Sequence, residues 1–171
     1  MGYLKSTLSL CSVVTALAVL APTHGYGDEG RGGPFLGLAG QWSGAGTVTM
    51  ADGSTKRLRC RSANVVNANG RAIEQNLHCA SGRFRLDLTS NVISAGGLLS
   101  GSWGEAAHGV QGDVFGLALR KGILAHITGM GFAARMYVRT KNGKQSVNVR
   151  SFTLRPPRGT DVANITVALQ R

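Results

Sequence analysis

The sequence predicts an all-β chain that closes into an antiparallel up-and-down barrel of about ten strands, with a two-sheet β-sandwich as the alternative. Three observations carry this. Turn signals containing glycine punctuate the chain at short intervals, and 25 of the 171 residues are glycine. Between the turns, apolar residues alternate with polar ones, and no stretch of useful length shows the helical period. Two cysteines, Cys60 and Cys79, lie symmetrically about the pair Asn69-Gly70. An Asn-Gly pair favours a two-residue type I′ turn, in which both central residues take φ > 0. That turn sets Cys60 directly across from Cys79, close enough to bridge. One-sided strands in a meander must bury their apolar face, and closing the sheet on itself also removes both edges.

Residues 1–27 read as a secretory signal peptide. Lys5 supplies the positive start, Leu8 to Ala21 an apolar run, and small residues allow cleavage after Gly25 or Gly27. The run is too short for a membrane-spanning helix. A periplasmic or secreted location follows, and it leaves two cysteines in an oxidising compartment, where a disulfide is expected. Residues 28–39 read as a flexible Gly-rich arm, and 40–171 as one barrel domain.

Each strand follows from its turn. Strand β1 (41–50) ends at Ala51-Asp52-Gly53. A three-residue loop with a bulge puts Trp42, Val48 and Met50 on the face of Leu58, whereas a two-residue turn would put Thr47 and Thr49 there. Burial selects the former. Strands β2 (55–67) and β3 (71–80) flank Asn69-Gly70. A two-residue loop at Ser81-Gly82 leads into β4 (83–93) and sets Cys79 opposite Phe84 and Leu77 opposite Leu86. One face then collects Leu58, Cys60, Ile73, Leu77, Cys79, Phe84, Leu86 and Leu88, and agreement of three strands on one apolar face supports the assignment. Gly96-Gly97 opens β5 (98–104), with Leu99 and Trp103 inward. The following loop carries Glu105 and His108. A three-residue loop, Arg120-Lys121-Gly122, joins β6 (110–119) to β7 (123–128). It points Phe115, Leu117 and Leu119 inward beside Ile123, Ala125 and Ile127, with His126 outward. Asn142-Gly143 joins β8 (132–141) to β9 (144–154), pairing Met136 with Val149 and Val138 with Val147. The Pro-containing link Arg155–Gly159 cannot extend a ladder. Strand β10 (162–170) turns Ala163, Ile165, Val167 and Leu169 inward. The inverse arrangement, an outer-membrane barrel with apolar residues toward lipid, would crowd arginines into the lumen and lacks aromatic girdles.

The formal charge of +11 favours anionic partners. The expected registers place Arg57, Arg59 and Arg61 outward on β2 and Arg83 and Arg85 outward on β4. They form the rows Arg61–His78–Arg85 and Arg59–Ala80–Arg83. Guanidinium forks suit carboxylate, phosphate and sulfate, so Arg59, Arg61, His78, Arg83 and Arg85 form a candidate anion face. A second basic cluster sets Arg135 opposite Arg150, with Tyr137 beside them. One ring among these cations is thin support for nucleic acid, whose single-strand binders present several stacking platforms. Trp42 and Trp103 are placed to line or plug a barrel mouth. His78, His108 and His126 fall on separate elements. Glu105 and His108 could touch, but no nucleophile accompanies them, and no hydrolase, zinc-protease or phosphate-loop motif appears. Neither catalysis, a metal nor a cofactor is indicated.

Gly40-Gln41-Trp42 at the start of the first strand resembles the Gly-x-Trp signature of lipocalins and related calycin barrels. The resemblance implies a basic residue near the last strands, Arg150 or Arg171, covering the Trp42 ring. Gly-x-Trp followed by Cys60 and Cys79 also resembles small periplasmic barrel inhibitors of secreted metalloproteases. That resemblance implies a disulfide and an N-terminal arm, here 28–37, that enters a protease cleft. The functional expectation is a non-enzymatic periplasmic or secreted binding barrel whose basic face takes a small anion, an anionic envelope polymer or an acidic protein surface. The alternatives are a protease inhibitor, a carrier of a small apolar ligand inside the barrel, and an envelope structural protein.

Overall fold

The computed structural model describes residues 32–82, 84–152 and 162–171. The expected signal peptide, the first residues of the expected arm, Arg83 and the Pro-containing link lie outside the described residues. A 3₁₀ turn, Leu36–Leu38, precedes ten strands: β1 Gly40–Met50, β2 Thr55–Val66, β3 Ala72–Ser81, β4 Phe84–Ala95, β5 Leu98–Glu105, β6 Val110–Leu119, β7 Gly122–Gly129, β8 Phe132–Lys141, β9 Lys144–Ser151 and β10 Val162–Gln170. Each strand pairs with its neighbours in sequence, and β10 pairs antiparallel with β1, so the sheet is a closed up-and-down barrel.

The turns explain the registers. Between β1 and β2 the loop Ala51-Asp52-Gly53 forms as expected. Met50 N donates to Ser54 O at 2.8 Å, and Gly53 has φ +83°. Trp42, Val48 and Leu58 accordingly share the buried inner face. At β2–β3 the register is the expected one, but the turn is different. Gly70 takes φ +71°, Asn69 does not take positive φ, and Asn67 N reaches Ala72 O at 3.1 Å across a four-residue loop. The side chain of Asn67 holds that loop, accepting from Arg71 N and Ala72 N. A four-residue loop is centred on the same point as the two-residue one, so Cys60 still faces Cys79. The two are bonded, with Cα atoms 4.1 Å apart. Asn142 (φ 51°) and Gly143 (φ 69°) do adopt the expected pair of positive φ angles.

Two registers correct the expectation. Phe84 pairs with Ser81, so Cys79 faces Leu86 and His78 faces Asp87. Gly82, with φ +56°, begins this turn rather than ending it. The slip is of even length, so the inward set of β4 survives. At β6–β7 the slip is odd. Leu119 pairs with Gly122 and Ala118 with Ile123 across a two-residue turn, Arg120-Lys121. Phe115 (54% exposed), Leu117 (45%) and Leu119 (43%) therefore point outward, not inward. Gly112, Val114, Gly116 and Ala118 take the inner face instead. A methyl group on Gly112 would run into the Thr128 carbonyl, and one on Gly116 into the Leu124 carbonyl. Here the wall coils too tightly for large inward side chains, and curvature outweighs the gain from burying a Phe and two Leu.

One end of the barrel is plugged. Gly33 N donates to Asn69 O (2.7 Å) and Phe35 N to Gly70 O (3.0 Å), which ties the entering chain to the β2–β3 loop. Phe35 and Leu38 are buried in the core. The Leu38 carbonyl accepts from Trp42 Nε1 and from Asn64 Nδ2, each at 2.9 Å. Arg171 lies over the Trp42 ring, its guanidinium carbon 4.8 Å from the centroid, and donates to Ala39 O at 3.3 Å. The latter part of the segment expected to be a flexible arm is thus packed as a stopper.

The Cys60–Cys79 bridge closes a span of 19 positions. Replacing both cysteines by Ala is expected to cost roughly 3 kcal/mol through the freed denatured chain. Urea denaturation of the two proteins measures it. An unchanged midpoint would mean that the pairing across β2 and β3 holds without the bond.

Candidate ligand site in the barrel interior

Inward alternation leaves a cavity of about 480 Å³ along the barrel. Its floor is Phe35 and Leu38 on the stopper. Its walls are aliphatic, with Leu77, Leu86 and Leu88 from β3 and β4 facing Ile127, Met136 and Val149 from β7 to β9. Phe84, His108 and the exposed Met130 lie at the opposite end. A ten-stranded ring is wide enough that its inward side chains do not meet across the middle, whereas eight strands are commonly filled.

Polar groups in the lining are few. Gln75 donates to Ser62 Oγ at 3.2 Å, and Ser62 donates to Asn64 Oδ1 at 2.7 Å, a short network beside the stopper. Gln145 is buried, and its Oε1 has no hydrogen-bond partner among the described residues. Among the described residues Glu105 is the one carboxylate in the lining, and it is fully engaged. Oε1 accepts from Asp87 N (2.8 Å) and Ala107 N (3.1 Å), and Oε2 from His108 N (2.8 Å) and His108 Nδ1 (2.7 Å). Burial pushes its pKa up, but these bonds to the charged form outweigh it and hold the carboxyl below its ordinary 4.5. With both oxygens doubly occupied, Glu105 anchors the β5–β6 loop at the mouth and has no lone pair left for a substrate proton. The Glu105–His108 contact foreseen from their spacing exists, as a clamp. Among the described residues no group of three or more His, Cys, Asp or Glu could hold a metal ion.

The other expected sites fall as follows. Trp42 is 2% exposed and lies at the plugged end, so it does not line the mouth. Trp103 does line the cavity from β5, and its Nε1 donates to Thr128 O at 3.0 Å. On the basic face, Arg59 and Arg85 flank Ala80, and Arg61 faces His78. The residue beyond His78 is Asp87, not Arg85, and it pairs with His78 Nδ1 at 2.7 Å. The expected five-membered anion face is therefore partly neutralised, and Arg83 lies outside the described residues. Arg57, Arg59 and Arg61 face Thr47, Ala45 and Ser43 of β1, a lane of small side chains. In the second cluster Arg135 faces Arg150 and Tyr137 faces Asn148, as expected. Arg135 also lies over Phe152, 5.3 Å from its centroid. Sequence reasoning missed Phe35 and Leu38. Their apolar cluster, Pro34-Phe35-Leu36-Gly37-Leu38, was the available signal, masked by the surrounding glycines.

No protein-family model matches this chain, and no curated protein sequence matches it. Among solved structures it is similar to the crystal structure of Rv2717c from M. tuberculosis, with a TM-score of 0.62 over 80% of this chain and 93% of that one. The likeness is one of fold. Sequence identity is 11%, too low for it to carry more.

Substituting Glu105→Gln is expected to cost about 1–3 kcal/mol by weakening the charge-assisted bonds to the loop. A carboxyl with a lowered folded pKa stabilises in full above its ordinary 4.5 and loses that contribution as pH falls below it. Urea midpoints of the two proteins should therefore differ at pH 7 and converge in acid; a gap independent of pH would rule out the charge as its source.

Proposed function

We propose that this chain is a non-enzymatic binding barrel that carries a small apolar ligand in its interior. The observation that carries the reading is the aliphatic cavity, closed at one end by Phe35 and Leu38 and bordered at the other by Phe84, His108 and Met130. A volume of about 480 Å³ falls within the range of ligand pockets, and desolvation against Leu, Ile, Val and Met side chains drives apolar binding. His108 adds a polar group at the rim: its Nδ1 is held by Glu105, and its other nitrogen is left for a ligand's polar end. The disulfide fits an oxidising compartment, so the reading places the carrier in the periplasm or outside the cell. Gly40-Gln41-Trp42 with Arg171 over the ring supports a calycin-like design of the stopper.

A second reading, attachment to an anionic polymer, is favoured by one observation. Among the described residues no carboxylate lies within ion-pair distance of Arg57, Arg59 or Arg61, which point outward along β2. Retention on immobilised heparin that falls with salt, and falls again in the Arg→Gln triple variant, is the outcome it requires.

The carrier reading is tested by fluorescence titration with N-phenyl-1-naphthylamine. Ile127→Trp fills the cavity from β7 and is expected to weaken probe binding by about tenfold or more while the barrel still melts cooperatively. Equal binding by both proteins would place the probe elsewhere and remove the reading.

A further inference from the structure

The outward turn of β6 leaves large apolar side chains on the barrel wall. Phe115, Leu117 and Leu119 are joined by register to exposed residues of neighbouring strands. Ile93 and Phe115 share a row through Ser100, and Leu98 pairs with Leu117, which pairs with the half-buried Leu124. Leu98 is 63% exposed and Ile93 57%. Contiguous exposed apolar groups of this size mark contact surfaces, whereas single ones do not.

The rim of this patch is cationic. Arg120 and Lys121 form the turn immediately after Leu119, and both are exposed. Arg135 faces His126 in the row of Phe115, and Arg139 is exposed on the far side of Gly122. Along β5 to β8 the only outward carboxylate is Asp113, displaced from Phe115 toward the mouth. A second copy seated here would bring two such rims together with nothing to neutralise them. A surface that offers an apolar layer beneath negative charge satisfies both features at once.

We propose that the face formed by Leu98, Phe115, Leu117 and Leu119, with Arg120 and Lys121 at its edge, docks on anionic lipid bilayers. The apolar side chains enter the headgroup boundary and the cations pair with lipid phosphates. This surface is separate from the interior cavity and stands whether or not that cavity carries a ligand.

Sedimentation with vesicles tests it. The protein is expected to bind vesicles of phosphatidylcholine mixed with phosphatidylglycerol and not those of phosphatidylcholine alone. Phe115→Thr with Leu117→Thr, which keeps strand-forming residues on an exposed face, should lower partitioning by about tenfold or more. Arg120→Gln with Lys121→Gln should lower it too and flatten its salt dependence, and this pair decides the matter if the Thr variant loses its circular dichroism. Lys56→Gln with Lys144→Gln, exposed on β2 and β9 away from the patch, should leave binding unchanged. The proposal is overturned if the unsubstituted protein ignores the mixed vesicles or if this lysine pair weakens binding as much as the turn pair. A dimer in sedimentation equilibrium that the Thr variant dissolves would also overturn it, by assigning the patch to a second copy.

Discussion

In a closed ring every strand has two neighbours, so a residue that faces inward must meet inward residues on both sides. Strand β10 pairs with both β9 and β1, and Val167 sits between Val147 and Gly46 across those two ladders. No edge remains at which a register error could be absorbed. Each turn therefore answers to the whole circle. That is why the β3–β4 loop can shift by an even step without disturbing the interior. It is also why the β6–β7 loop takes the step that suits local curvature, and accepts a Phe and two Leu in water as the result.

The two ends of the barrel are stabilised differently. At one, Trp42 and Asn64 both donate to the Leu38 carbonyl, Arg171 covers the Trp42 ring and donates to Ala39 O, and Phe35 and Leu38 are buried beside them. Trp42, Asn64 and the 3₁₀ turn are thereby fixed together, and the interior is sealed there. At the other end Glu105 clamps the β5–β6 loop and reaches across to Asp87 N on β4, and the aliphatic lining extends to Met130.

Much of this was legible in residues whose effect is local. Gly53, Asn142 and Gly143 set their turns through backbone angles alone, and the cysteine pairing followed from symmetry about Asn69-Gly70 even though that turn took another form. What stayed hidden depended on non-local facts. The sign of the β6 register was set by how sharply the wall bends at Gly112 and Gly116, which no single hairpin reveals. The stopper was hidden because Phe35 and Leu38 gain their apolar partners, Ile73, Leu99, Val114, Ile123 and Val138, only once β3 and β5 to β8 have closed around them. Arg59, Arg61, His78 and Arg85 do face outward as read, while Arg83 lies outside the described residues, and the composition of the face changed when Asp87 replaced Arg85 beside His78. The cavity could be expected as a possibility of ring size, not as a volume.

The chain enters the barrel at Gly33 and leaves it at Arg171, and both points lie at the sealed end, within reach of the same 3₁₀ turn. A label carried on Arg171 is thus held on the floor side, about a barrel length from Met130 and His108 at the opposite end.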